Sequence, residues 1–207
     1  EEGMENIQLI PKARIPIVKF KDPRSGLDVD ISLDNRLAIY NSEMLKSYAQ
    51  EKRLRLLVQM VKYWASRRGI NNAFEGSLSS YAWTLLAIQH AQMVQPPLVP
   101  NRQENTEAKP MAFHGTTYDV GFDSDAYDTK NTQSLGSLLI NFFDRFATRW
   151  DWESMVVSIR HGEALSAKAK KWEHTGPLPL EVVTGTDNGR MEHVMPIEDP
   201  FDHEIEY

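Results

Sequence analysis

Residues 13–33, ARIPIVKFKDPRSGLDVDISL, decide how the rest of the chain is read. Residues 13–20 alternate well enough for a β-strand. Residues 27–33 repeat the pattern, with Val29, Ile31 and Leu33 on one face and Asp28, Asp30 and Ser32 on the other. Between them KDPRSG carries Pro23 and Gly26, the punctuation of a hairpin-like turn. Two strands alone are marginal in water. This pair therefore needs the rest of a sheet, and nothing downstream clearly supplies it.

Helices follow instead. Residues 51–68 place Leu54, Leu57, Val58, Val61, Trp64 and Ala65 at three- and four-residue spacing, with Gly69 as the terminating residue. Residues 79–94 form a second helix, nearly all apolar and therefore central, stopped by Pro96 and Pro97. Residues 134–150 give a third, with Leu135, Leu138, Leu139, Phe142, Phe143, Phe146 and Trp150 along one stripe. Residues 98–132 are polar, rich in Pro, Asn, Asp and Thr, without period, and read as a long loop. Residues 154–161 are strand-like, 162–173 suit a short basic helix, and 178–190 form a Gly- and Thr-rich loop. A piece of sheet followed by a mostly helical domain makes an α+β chain, divided at 38/39.

The 207 residues are 41% hydrophobic and 25% charged, which suits a globular chain with a core of its own. No apolar run reaches the roughly 18–20 residues that span a bilayer, so no membrane partner is expected. The absence of cysteine excludes disulfides and Cys-type zinc sites within the chain. Residues 1–8 are acidic and polar, unlike a secretory signal or an Arg-rich transit peptide. An intracellular location, cytoplasmic or mitochondrial, is expected. A net charge of −6 argues against coating nucleic acid by bulk attraction, though a few local cations suffice to hold one strand end.

Several side chains stand out on chemical grounds. Asp28 and Asp30, at i and i+2 on one strand face, can converge on a hard cation or simply face solvent. Asn41 follows an apolar patch, where Asn is a favoured helix N-cap, as is the adjoining Ser42. Lys62 lies among Val58 and Val61, as a lysine resting its stem on apolar surface does. Ser79 and Ser80 open the central helix, where a hydroxyl caps free N–H groups and the same helix end attracts anions. Tyr81 beside them is core packing or a stacking platform. IEDPFD, residues 197–202, reads as an acidic segment near the C-terminus. His90, His114, His161, His174 and His193 lack metal-ligand spacing and read as surface or packing residues.

RIPIVKF, a turn, LDVDISLDN and then RLAIYNSEMLKSY resemble the terminal uridylyltransferase and cytoplasmic-type poly(A) polymerase branch of the nucleotidyltransferase superfamily, the DNA polymerase β-like group. VKYWASRRGIN resembles that family's VKxWxKxxxIN helix, and GSLSSYAW its G-(T/S)-L-S-S-Y motif. QPPLVPN, DVGFD, SLGSLLINFFDRF and IEDPFD complete the series in order across nearly all of the chain.

The resemblance implies a C-terminal remnant of a mixed-sheet palm domain, residues 1–38, followed by a helical PAP-associated domain, residues 39–207. It implies addition of UMP from UTP to an RNA 3′ end with Mg²⁺ or Mn²⁺. Poly(A) polymerase activity with ATP, or a non-catalytic nucleotide- or RNA-binding subunit, are the alternatives. Asp30 becomes the third metal-binding catalytic aspartate. The other two belong to a Gly-Ser…Asp-x-Asp element that follows neither Gly76-Ser77 nor Gly136-Ser137 here, so an N-terminal catalytic half, or a chain carrying it, is the expected partner. Asn41 and Ser42 would meet the ribose hydroxyls, Lys62 the β- and γ-phosphates and Ser80 a phosphate, with Tyr81 stacked on the base. Ser66 stands where the family has a second phosphate-binding lysine, with Arg67 and Arg68 adjacent but about 100° further round the helix for each residue. Asp199 and Asp202 would help read the base. A histidine that favours uracil in some relatives falls at Ile205, with His203 two residues earlier.

Overall fold

The computed structural model describes residues 3–11, 16–104, 106–113, 115–170, 172 and 195–202. The chain divides into two compact units, Glu1–Ser42 and Glu43–Tyr207.

The first unit contains three antiparallel strands in the order β1 (Glu5–Ile10), β2 (Ile17–Lys21), β3 (Asp28–Ser32). The β2–β3 pair is the hairpin expected from the alternation, with Lys19 opposite Asp30 and Lys21 opposite Asp28. Its turn is held by Asp22, whose carboxylate accepts from the Arg24 and Ser25 amides and the Ser25 hydroxyl, with Gly26 at φ +71°. Strand β1 escapes the alternation rule because its register shifts between Glu5 and Gln8, with Asn6 at φ +55°. Leu9, Val18 and Ile31 lie side by side across the sheet, yet Leu9 is 73% exposed and Ile31 55%. The expected apolar face of β3 is present, but no described residue covers it.

Helix α1, Arg36–Tyr48, begins in this unit and runs into the second. Its first turn is capped by Asn35, whose Oδ1 accepts from the Ala38 amide. Asn41 therefore lies inside the helix, and the capping alternative for it is excluded.

The second unit is built around α2 (Lys52–Arg67), α3 (Ser80–Met93) and α4 (Leu135–Asp144). All three helices begin one residue after a residue whose side chain accepts a backbone N–H: Glu51, Ser79 and Ser134. α2 ends at Gly69, φ +67°, as its sequence demands. α3 is buried on every side, and its glutamines place their amide N–H groups on acceptors from other segments, while Gln89 Oε1 and Gln92 Oε1 find no donor among the described residues. Gln89 donates to the Glu163 carbonyl, and Gln92 to the Tyr48 hydroxyl and the Ile159 carbonyl. Trp64 of α2 meets Trp83 of α3 edge-on at 5.6 Å and Phe143 of α4 at 4.8 Å.

The third helix is shorter than the hydrophobic stripe suggests. After Asp144 the chain winds as a π turn, Arg145–Arg149, closed by the Trp150 amide on the Arg145 carbonyl. Phe146 and Trp150 still reach the core from it.

The polar stretch 98–132 contains a hairpin, β4 (Pro110–Phe113) and β5 (Thr116–Asp119), which its composition conceals. Polar side chains pin the remainder to backbone groups: Asn101 to the Arg160 carbonyl, Thr129 to Pro97, Asn131 to Pro96. Buried Arg102 spans the carbonyls of Ser47, Asp123 and Asp125. Of the strand-like stretch 154–161 only β6, Met155–Val156, pairs as a strand, with β7, Leu165–Ser166; the basic helix is one turn, Ala167–Lys170. The loop read at 178–190, and His114, His174, His193, His203 and Ile205, lie outside the described residues.

His90 makes stability depend on pH. Burial first, and then the Arg145 guanidinium, push its pKa down from 6.5 to about 4. An unfolded chain takes up this proton below about pH 6.5, whereas the folded one resists it until about pH 4. Stability is thus complete above pH 6.5 and falls toward pH 4, by about 3 kcal/mol. Urea midpoints measured from pH 7 to 4.5 should show this slope, and His90→Gln, which keeps an acceptor for Arg145, should flatten it.

Candidate functional site

Asp30 sits at the centre of β3, and its carboxylate forms a 3.4 Å ion pair with Lys19 across the hairpin. Both side chains are about half exposed, 54% and 44%. Among the described residues no group of three or more His, Cys, Asp or Glu side chains is placed to hold a metal ion. Mg²⁺ is commonly held through one or two carboxylates, with phosphate oxygens and water completing the shell. The half-exposed Asp30 carboxylate has the donor chemistry of one such ligand.

Asn41 and Ser42 are adjacent on α1. The Ser42 hydroxyl is committed to its own helix, donating to the Ala38 carbonyl at 2.7 Å. The Asn41 Oδ1 is different: it is buried and accepts no hydrogen bond from any described residue. A buried amide oxygen without a donor costs about 1–3 kcal/mol, so this position suits a ligand hydroxyl.

In the second unit Lys62 and Ser66 share one exposed face of α2, a single turn apart. Lys62 has no ion-pair partner among the described residues, so its charge is available to an anion. Arg67 and Arg68 are exposed beyond it, Arg68 as the C-cap. At the N-terminus of α3 the duties of the two serines separate. Ser79 is the cap, its Oγ accepting from the Ala82 amide at 3.0 Å, while the Ser80 hydroxyl makes no hydrogen bond to a described residue. Tyr81 follows in the first turn, half-buried.

Asp199 and Asp202 are buried, in a segment fastened to the rest of its unit. The Val157 amide donates to Pro196 and the Glu198 amide to Val157, forming a parallel bridge at Ile197. Gln103 and Arg160 both donate to the Pro200 carbonyl. The Asp199 carboxylate accepts from the Phe201 and Asp202 amides at 2.8 and 2.9 Å, so it also shapes the turn it belongs to. Glu198, which charge alone does not distinguish from its acidic neighbours, is buried and paired with Lys170 at 2.7 Å. The signal for it was local: one acidic residue directly after Ile197, in a segment whose Pro and Phe demand a packed turn.

The described residues thus form two groups. Asp30, Asn41 and Ser42 belong to the first unit; Lys62, Ser66, Ser80, Tyr81, Asp199 and Asp202 belong to the second.

Residues 1–50 match the family model of the mitochondrial-like poly(A) RNA polymerase central palm domain, and residues 134–204 that of the Cid1 family poly(A) polymerases. The chain belongs to the Cid1-type nucleotidyltransferase family. It is 35% identical over 178 residues to the poly(A) RNA polymerase cid13 of Schizosaccharomyces pombe, covering 83% of this chain and 31% of that protein. It is 34% identical over 216 residues to the terminal uridylyltransferase cid1 of the same organism, covering 97% and 51%. A solved structure of the Cid1 poly(U) polymerase with Mg and 3′-dATP bound superposes with a TM-score of 0.80 at 32% identity, covering 99% of this chain and 60% of that one. The chain therefore spans about a third to a half of the curated Cid1-type relatives it matches. As in the Cid1 fold, an α+β arrangement of palm strands and a helical PAP-associated domain is present.

Proposed function

We propose that the complete protein adds UMP from UTP to RNA 3′ ends without a template. The observation that carries this reading is the match to terminal uridylyltransferase cid1, which extends over 97% of the chain and so spans both units.

The reaction is in-line displacement: the RNA 3′-hydroxyl attacks the α-phosphorus of UTP and pyrophosphate leaves. Bound Mg²⁺ would stabilise charge on the attacking and leaving oxygens, with Asp30 as the ligand this chain provides. The remaining work is positioning. Lys62, uncompensated by any described acid, offers a point charge to the β- and γ-phosphates. The Ser80 hydroxyl, at the start of α3, offers a neutral donor to a phosphate. Tyr81 supplies a face for uracil. Asn41 Oδ1 accepts from a ribose hydroxyl, which favours ribonucleotides over deoxynucleotides. Asp199 and Asp202, fixed in a pinned turn, read the base edge.

The exposed row of Leu9 and Ile31 beside Val18 supports an upstream palm segment packed against this sheet, carrying the remaining carboxylates. Adenylyl transfer is the second reading, favoured by the 35% identity to a poly(A) RNA polymerase and by Ile205 at the position of the uracil-favouring histidine.

The complete protein, incubated with a short RNA, Mg²⁺ and each NTP in turn, should extend the RNA best with UTP. Equal or better extension with ATP would replace the uridylyl assignment by the adenylyl one. No extension with any nucleotide, together with a thermal midpoint that UTP does not raise, would remove both.

A further inference from the structure

A cavity of about 490 Å³ opens beside the π turn Arg145–Arg149, in the second unit. Arg145, Arg149, Trp150, Asn141, Met93 and Met155 are among the side chains that line it. None of them belongs to the residues assigned above to UTP. π turns inside helices occur often at functional sites, though one alone identifies nothing.

The charges on the cavity wall do not balance. Arg145 is half-buried, and its Nε donates to His90 Nδ1 at 3.2 Å while Nη1 reaches Met93 Sδ at 3.8 Å. Both partners are neutral, because His90 takes up no proton until about pH 4. Asp144, the one acid among the described residues on the wall, is paired with Arg149. The Arg145 Nη2 has no hydrogen-bond partner among the described residues, and the carboxylate that acts on this half-buried guanidinium, Asp144, is shared with Arg149. Trp150 adds a second unmet demand: the residue is 8% exposed, and its indole N–H is buried with no acceptor among the described residues.

The volume lies within the roughly 300–1,000 Å³ of small-molecule sites, far more than a lone carboxylate or phosphate fills. Met93, Met155 and Trp150 offer apolar surface to a planar body. The Asn141 amide, with those of Gln95 and Gln133, offers the paired donors and acceptors that match the edges of nucleobases.

We infer that this cavity is a second nucleotide site, taking a nucleoside monophosphate unit, free or within RNA, with its phosphate on Arg145 and its base among Trp150, Met93 and Met155. The phosphate supplies a second anion to two arginines that share one carboxylate, and a base carbonyl or phosphate oxygen is the absent acceptor for the indole. The inference stands apart from the transfer reaction, because neither Asp30 nor Lys62 contributes to it.

The test follows the Trp150 indole N–H resonance in the ¹⁵N-labelled complete protein, identified by its loss in Trp150→Phe. UMP, a short oligouridylate, inorganic phosphate and an acidic peptide are titrated separately. A shift with both UMP and the oligouridylate identifies a free-nucleotide site; a shift with the oligouridylate alone identifies an RNA subsite. Arg145→Gln should weaken either response at least about tenfold, as loss of a charge-assisted contact does, and Arg149→Gln on the exposed arginine is the milder second variant. In Asp30→Asn the response should persist unchanged, which separates failure of this site from failure of the catalytic assignment. The inference is overturned if Trp150 is unmoved by nucleotides up to about 10 mM. It is equally overturned if inorganic phosphate reproduces the whole response, or if only the acidic peptide produces one.

Discussion

Asp30→Asn in the complete protein is expected to lower kcat for nucleotide addition by at least about 10³-fold while changing stability by less than about 1 kcal/mol. The two halves of this expectation come from different physics. Asparagine keeps the volume and one oxygen but removes the negative charge that holds a hard cation. A metal ion contributes several kcal/mol of charge stabilisation in phosphoryl transfer, and each 1.36 kcal/mol is a factor of ten in rate. The stability half follows from exposure. The Asp30 carboxylate is 54% exposed and its partner Lys19 44%, so their ion pair belongs to the class worth about 0–1 kcal/mol. Lys19→Met, which removes the same ion pair from the other side, is the control. It should match Asp30→Asn in melting temperature and retain most of the activity. Single-turnover extension assays at saturating Mg²⁺ and UTP measure the rate. If Asp30→Asn and Lys19→Met lose activity equally, the carboxylate acts through the hairpin and not on the reaction.

Local sequence signals report the fold wherever the physics is local. Alternation located the β2–β3 pair, and helical spacing with Gly69, Ser79 and Pro96 placed α2 and α3 to within a residue or two. Three features escaped for identifiable reasons. Strand β1 carries a register shift and exposes Ile7 and Leu9, so it shows neither alternation nor a buried face. The β4–β5 hairpin, with four residues in each strand, is too short to show a period, and non-local anchors hold the stretch around it. The π turn keeps Phe146 and Trp150 in the core, so hydrophobic spacing reports an uninterrupted helix there. The site was legible mainly as a motif series. Spacing alone could not separate Ser79, which caps, from Ser80, which does not. It could not reveal that Asn41 carries an unmet acceptor either, because that depends on which donors the fold brings near.

Arg102→Ala should destabilise the protein by about 3–5 kcal/mol, although Arg102 lies in a stretch that composition reads as loop. Its side chain is 2% exposed by residue and joins three chain segments. One terminal nitrogen donates to Asp123 and Asp125, the other to Ser47 near the C-terminal end of α1, at 2.9 to 3.1 Å. The guanidinium also lies 5.4 Å from the centre of the Tyr48 ring. Tyr48 is itself buried, its phenol pushed up to about 12 by that burial, and it accepts from the Arg102 amide and from Gln92 of α3. Truncation removes charge-assisted bonds worth about 1.5–3 kcal/mol each in favourable cases and leaves the Ser47 carbonyl without this donor. Water can reach the Asp123 and Asp125 carbonyls, on exposed residues, which is why the total stays below the sum. For a domain of this size the loss corresponds to a fall of roughly 6–20 °C in melting temperature, measured by calorimetry on the complete protein. Arg102→Lys should recover little, because a single ammonium cannot reach carbonyls on both sides as a planar fork does. A fall below about 2 °C for Arg102→Ala would show that the three segments are held by their apolar contacts alone.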